Sequence, residues 1–224
     1  MENKISKNEN LREYRPEIDG LRAFAVIAVI INHFDKNILP NGFLGVDIFF
    51  AISGYVITSS LASRKSSNFF EFIFSFYSRR IKRLFPSLIF FILISAILIS
   101  FFNPYPEFHL RTGIASLFGL SNLYLLRHST DYFAQSTALN IFAHTWSLGV
   151  EEQFYLLFPF ITWLSGFNKR SIKGSKNLFN ILLFLFIISI SLYAYFYFIN
   201  SSAAYFLMPT RFWELSIGSL LFIA

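Results

Sequence analysis

The chain has no cysteine, so neither a disulfide nor a thiolate metal site can be built from it, and no metal centre is expected. Charge is scarce as well: 14% of the 224 residues are charged, against about 25% in soluble domains. No tandem repeat and no separate soluble domain stands out. No small-residue cleavage site follows the polar, mixed-charge start, which argues against a removable leader and for an N-terminus that stays in the cytoplasm. What fills the space left by charge is hydrocarbon. Hydrophobic residues make up 54% of the chain and aromatic residues 20%, with 31 phenylalanines. A soluble fold of this size could not hide that much apolar surface, so the lipid bilayer is the expected solvent. The net charge of +6 does not point to nucleic acid. The basic residues sit in short loops between apolar runs, where they read as orientation signals, and no RNA- or DNA-binding motif accompanies them.

The apolar runs predict an all-α, polytopic transmembrane helix bundle of about six spans plus one re-entrant or interfacial segment. Residues 1–17 read as a polar cytoplasmic tail and 18–224 as one membrane domain. The first run, Ile18 to Phe34, is interrupted by Asp19, Arg22, Asn32 and His33. Phe43 to Leu61 follows, with Asp47 inside it. Phe69 to Tyr77 is too short to span and is expected to lie along the cytoplasmic interface. Leu84 to Phe102 reads as a span with Pro86 in its first turn. Leu110 to Leu126 is weakly apolar. Thr145 to Leu164 carries Glu151, Glu152 and Gln153. Leu178 to Ile199 is a strong span, and a last one begins near Phe206. The final run, Leu215 to Ala224, ends without a polar flank, so the sequence reads as a truncated chain.

Charge decides how the weak segment is threaded. If Leu110 to Leu126 dips in and returns, segments 1–22, 62–83 and 166–177 are cytoplasmic and hold 15 of the 19 basic residues. If it crosses, the basic loop of Lys169, Arg170, Lys173 and Lys176 moves outside. The positive-inside rule selects the first arrangement, and a re-entrant segment requires burial in protein or a wet cavity.

Ionisable groups inside apolar runs are costly, which makes them candidates for function. Arg22 and His33 are eleven residues apart, three helical turns, so they share a face at roughly 16 Å along the axis. That spacing suits a long donor with an anionic head and a reactive tip. It suits equally a snorkelling arginine and a histidine bonded to a nearby carbonyl. Asp47 opens the second arm of a hairpin whose first arm ends at His33. A carboxylate there could orient the imidazole, or simply cap a helix N-terminus. Arg79, Arg80, Lys82 and Arg83 form a basic cluster that fits lipid anchoring. Arg80 and Arg83, at i and i+3, also fit a phosphate gripped from two sides. His144, Ser147 and Glu151 fall on one helix stripe, beside Trp146. Glu152 points about 100° away from Glu151, so one carboxylate can face a cavity while the other needs a different partner.

Four blocks of the sequence resemble the acyltransferase-3 family of integral membrane O-acyltransferases, which modify lipopolysaccharide, peptidoglycan and other glycans. They are Tyr14-Arg15-Pro16-Glu17-Ile18-Asp19-Gly20-Leu21-Arg22-Ala23 with His33 beyond it; Gly42-Phe43-Leu44-Gly45-Val46-Asp47-Ile48-Phe49-Phe50 with Ser53-Gly54-Tyr55; Arg80-Ile81-Lys82-Arg83-Leu84-Phe85-Pro86; and His144-Thr145-Trp146-Ser147-Leu148-Gly149-Val150-Glu151-Glu152-Gln153-Phe154-Tyr155. A weaker block, Pro209-Thr210-Arg211-Phe212-Trp213-Glu214-Leu215, is similar to members that carry a fused extracytoplasmic domain. The resemblance implies a bacterial, multi-pass protein of the cytoplasmic membrane that moves an acyl group, acetyl by default, from acyl-CoA to a glycan or lipid-linked saccharide. No cofactor is expected to stay bound. It implies His33 as the catalytic residue, with Asp47 or Glu151 orienting it. It implies Arg22, Arg80 and Arg83 as donor contacts, and Trp146, Ser147 and Glu152 as residues lining the site. From the residues alone, a transporter or glycan flippase is the rival reading.

Overall fold

The computed structural model describes residues 15–63, 66, 68–128 and 139–224. All regular structure among them is helical. Among the described residues, three helical segments are long and apolar enough to cross a bilayer, namely Gly42–Ala62, Phe69–Phe102 and Ile172–Ile199, and they make the chain a multi-pass membrane protein. The residues divide between two compact units.

The first unit takes the described residues of Met1–Ser67 together with Ile161–Phe186 and Glu214–Ala224. Its helix α1 (Pro16–Phe34) starts on a proline, whose missing N–H costs nothing there, and its first turn carries Glu17 and Asp19 against the positive end of the helix dipole. The face it buries is small and polar: Ala25, Ala28 and Asn32. A 3₁₀ turn, Gly42–Leu44, leads into α2 (Gly45–Ala62), and two glycines let α2 lie directly on α1. A Cβ on Gly42 would fall 2.4 Å from the Ala28 carbonyl oxygen, and one on Gly45 2.4 Å from that of Ala25. The hairpin loop is clamped by buried Asn32, whose amide donates to the carbonyls of Leu39 (2.8 Å) and Pro40 (3.1 Å). A second close crossing joins α2 to the end of α9 (Met208–Ile223), where Gly54 meets the Leu215 carbonyl, Gly218 meets that of Ala51, and Ser219 Oγ donates to Gly54 O at 3.1 Å.

The second unit takes Asn68–Phe160 and Ile187–Trp213. Helix α3 (Phe69–Phe102) begins where Asn68 caps the Phe70 N–H and runs unbroken for 34 residues. This corrects the expectation of a separate interfacial segment at Phe69 to Tyr77. The basic cluster that seemed to interrupt the run is itself helical, because Arg and Lys are good helix formers and nothing between Phe69 and Arg83 breaks a helix. Pro86 consequently lies deep in the helix, not in its first turn, and removes one backbone bond there. At 1.5 Å per residue α3 is about 51 Å long, about 20 Å more than the hydrocarbon layer needs.

Leu110 to Leu126 forms no single helix. It is a hairpin of α4 (Glu107–Leu117) and α5 (Ser121–His128), turning at Gly119 with φ +66°. The Phe108 ring stands 6.0 Å from that of Tyr124 and 6.4 Å from that of His128, so α5 runs back along α4. Helix α6 (Trp146–Leu164) follows a 3₁₀ turn, Ala143–Thr145. The last helices are α7 (Ile172–Ile199), the short α8 (Ser201–Phe206) and α9. Ser189 on α7 fixes the start of α9 twice over, donating to Pro209 O and accepting from the Trp213 N–H.

Candidate functional site

In the first unit, Arg22, His33 and Asp47 lie on the α1/α2 hairpin. His33 is exposed, and its Nδ1 lies 2.9 Å from the Val29 carbonyl one turn below. A carbonyl only accepts, so this hydrogen bond is made by a proton on Nδ1, and in the neutral ring that leaves the lone pair on Nε2. This contact favours the neutral tautomer whose free nitrogen, Nε2, can act as a base. Asp47 does not share the level of His33. Gly45 touches Ala25 and Phe49 packs under Arg22, with the guanidinium carbon 5.4 Å from the ring centroid, so Asp47 stands opposite the Arg22–Ala25 stretch. The reason is the Asn32 clamp, which draws the loop down beside α1 and starts α2 well below His33. The backbone of Val29, not Asp47, sets the ring's orientation. Arg22 is a third exposed and also lies 3.8 Å from Asp19.

In the second unit, α3 and α6 run antiparallel. Phe69 meets Phe160 at 5.9 Å, the Tyr77 hydroxyl donates to Leu156 O at 2.7 Å, and the Arg80 guanidinium lies 3.8 Å over the buried Tyr155 ring. Further along, Phe91 packs on Phe142 and His144. Arg80 is therefore committed to a cation–π stack, while Arg83 is exposed and makes no hydrogen bond or ion pair among the described residues. The arginine pair is one free cation and one stacked cation, not two equivalent arms.

The two adjacent glutamates part as expected for neighbours on a helix. Glu151 is buried at 7% exposure. Glu152 lines a cavity of about 350 Å³ between Leu84, Phe85 and Leu88 of α3, the 116–120 stretch that ends α4 and turns into α5, and Gln153 and Leu156 of α6. Gly119 lets that turn reach α6, since a Cβ there would come 3.1 Å from the Glu152 Cβ. Gln153 holds it, donating to Gly119 O (3.0 Å) and Asn122 Oδ1 (2.8 Å), and Asn122 in turn donates to Phe206 O (2.8 Å). Gln153, Asn122 and Gly119 were not singled out as site residues from the sequence. The positive φ of Gly119 and the close fit of Gly149 against Asn122 are three-dimensional facts that one sequence does not display.

The stripe of His144, Ser147 and Glu151 does not form. His144 lies in the 3₁₀ turn before α6, where the helical count does not apply, and it is exposed while Glu151 is buried. Ser147 donates to the His144 carbonyl at 3.2 Å. Trp146, expected to line a site, is 2% exposed. Its ring lies 4.3 Å from the tilted ring of Tyr205, with the Arg211 guanidinium over it and also over Tyr193 and Tyr205.

The class these features define is an all-helical, multi-pass membrane protein with a tautomer-locked histidine on one hairpin and a carboxylate-lined cavity beside a basic helix. The chain belongs to the acyltransferase domain family, whose profile matches residues 15–224. It is 41% identical over 212 residues to "O-acetyltransferase OatA" of Staphylococcus aureus, covering 93% of this chain and 34% of that protein. It is also 41% identical over 159 residues to "Peptidoglycan O-acetyltransferase OatA" of Listeria monocytogenes, covering 68% of this chain and 26% of that one. The chain thus spans about a third of the length of the first of these relatives. No solved structure matches it.

Proposed function

We propose that this protein is a membrane O-acyltransferase that moves an acyl group, acetyl in the simplest case, from acyl-CoA to a hydroxyl of a cell-surface glycan. Peptidoglycan is the leading acceptor, since one relative is named for it. The protein would sit in the bacterial cytoplasmic membrane with its N-terminus inside, and 15 of the 19 basic residues on that side support this orientation.

The observation that carries the reading is the His33 ring, fixed through Nδ1 on Val29 O with Nε2 left as a base. In the reaction Nε2 takes the proton of the glycan hydroxyl as its oxygen attacks the thioester carbonyl. The carbon–oxygen bond forms, the carbon–sulfur bond breaks, and the proton passes to the departing CoA thiolate. Asp47, lower on the hairpin, assists at a distance by favouring the imidazolium. Arg22, below it, supplies positive charge for the donor's phosphates.

The test is transfer of radiolabelled acetyl from acetyl-CoA to extractable glycan in membrane vesicles, wild type beside His33→Ala. Loss of transfer in the variant alone is expected. Equal transfer in both removes His33 from the mechanism. Glycan translocation with no acetyl consumed would put a flippase in the enzyme's place.

A further inference from the structure

The open end of the α4–α5 hairpin carries an aromatic cluster that the steps above leave unused. Tyr124 and His128 stand one turn apart on α5 with their ring centroids 4.4 Å apart, and Phe108 of α4 packs against them at 6.0 and 6.4 Å. All three belong to the second unit. We propose that this cluster is a sugar-stacking platform that takes an N-acetylated hexose ring of the acceptor glycan, with the Glu107–Arg111 pair beside it holding the polar edge of that ring. The proposal rests on the glycan-acceptor reading above and adds where in the second unit the acceptor is held.

The rings are accessible, with His128 exposed and Tyr124 and Phe108 half-buried. The C–H groups on one face of a hexose carry partial positive charge and pack on the negative face of an aromatic ring. Neither the Tyr124 hydroxyl nor the His128 imidazole makes a hydrogen bond or ion pair among the described residues, so both remain available to sugar hydroxyls and to an acetamide group. His109 is committed instead, its two ring nitrogens lying 3.2 Å from Asn103 Nδ2 and 3.3 Å from the Ile141 backbone nitrogen. Glu107 and Arg111 pair one turn apart on α4, and both lie within Coulombic reach of the Tyr124 hydroxyl. A guanidinium has more N–H donors, and a carboxylate more lone pairs, than one mutual contact uses, which suits hydroxyls that donate and accept. Aromatic side chains also anchor helices at a bilayer interface. Here, however, the side chains of Arg111 and Glu107 are 61% and 74% exposed. Charge is costly in hydrocarbon, so this end of the hairpin faces water. It also lies at the far end of α3 from the basic cluster, since α3 ends at Phe102, just before Glu107. In the orientation proposed above that is the outer side, where a glycan is met and CoA is not.

The experiment titrates the protein in lipid nanodiscs with soluble, uncrosslinked glycan strands of peptidoglycan, and separately measures acetyl transfer to the same strands. Tyr124→Leu keeps the apolar bulk that a bilayer anchor needs but has no π face, and His128→Ala changes an exposed residue at a helix end. Each is expected to weaken strand binding, and to raise the KM for the strand, about three- to tenfold, the scale of an aromatic contact. The kcat and the KM for acetyl-CoA are expected to stay as in wild type. Tyr124→Phe, which keeps the ring, is expected to recover most of the affinity. Wild-type strand affinity in both Tyr124→Leu and His128→Ala overturns the platform, and acetyl transfer by the same samples leaves the acyltransferase reading standing. If wild type binds strands through these rings but transfers no acetyl, the platform stands and the acyltransferase reading falls. A KM for acetyl-CoA that rises as much as that for the strand marks general damage to the hairpin and overturns the platform. So does strand affinity kept by variants that are lost from the bilayer fraction, which assigns the rings to anchoring.

Discussion

Gly119 and Gly166 offer a matched pair of perturbations. Both adopt left-handed backbone, with φ of +66° and +77°, but a Cβ at Gly166 meets nothing within 4 Å while one at Gly119 comes 3.1 Å from the Glu152 Cβ. Alanine at either position costs about 1–2 kcal/mol for the left-handed conformation alone. Gly119→Ala carries a second cost, because a 3.1 Å approach is several tenths of an ångström inside ordinary contact and the neighbour is the root of a side chain on α6, not its flexible end. Relief requires the turn or the helix to move, which strains the Gln153 bonds to Gly119 O and Asn122. A further ~1–2 kcal/mol is the scale of that overpacking. The assay is unfolding of the protein in mixed micelles by titration with a denaturing detergent, read by circular dichroism, alongside acetyl transfer in vesicles. Gly166→Ala is expected to lose about 1–2 kcal/mol and keep its transfer activity. Gly119→Ala is expected to lose measurably more stability and to lower transfer as well. Equal losses with equal activity would show that the α4–α5 turn does not bear on Glu152, and would refute the tip contact as a determinant of the cavity.

Gly218→Ala should lose about 2–4 kcal/mol in the same unfolding assay, since its Cβ would overlap the Ala51 carbonyl where α9 crosses α2 and would pull Ser219 from Gly54 O; Gly20→Ala, with open space around it, should cost nothing. Asn32→Leu frees the two loop carbonyls that its amide binds. It is expected to destabilise by about 1–3 kcal/mol and to cut transfer, because the loop it releases sets the start of α2; wild-type transfer in this variant would separate the loop from the site.

Periodicity and charge made much of this legible. The α1/α2 hairpin, the strong spans and the folded-back 110–126 segment follow from apolar length, loop signals and the distribution of lysine and arginine. The family blocks named the residues worth locating. The misses share one physical cause, that a side chain's partner is a property of the fold. Arg80 looked like the twin of Arg83 until Tyr155 came under it. Sequence spacing sets Asp47 level with His33 only if the hairpin arms meet at their ends, while an asparagine bonding two loop carbonyls shifts the arms against each other. The His144 stripe assumed α-helical spacing across a 3₁₀ turn, whose tighter winding breaks the count. Glu151 and Glu152 could be separated by angle from the sequence, but which one faces open space depends on where Gly119 lies.

These helices meet through small residues and polar side chains as well as through large apolar ones. Leucine gains little by leaving a hydrocarbon solvent for a protein interior, so helices associate through close backbone approach and hydrogen bonds. Gly42, Gly45, Gly54 and Gly218 supply the approach. Ser219 on Gly54 O, Ser116 on Thr145, Ser121 on Thr145 O and Asn122 on Phe206 O supply the bonds. In such a medium a polar atom is satisfied by default, because leaving it bare is expensive and a local carbonyl is seldom far away. The groups that depart from this default and face open space therefore carry information that their residue type alone does not. Nδ1 of His33 is taken by the Val29 carbonyl, and Nε2 makes no hydrogen bond among the described residues. Glu152 lacks a donor because Arg80 has turned to Tyr155 and Gln153 has spent its amide on the turn. In each case the neighbouring polar group is occupied by structure, and what remains is a base on one hairpin and an acceptor in one cavity.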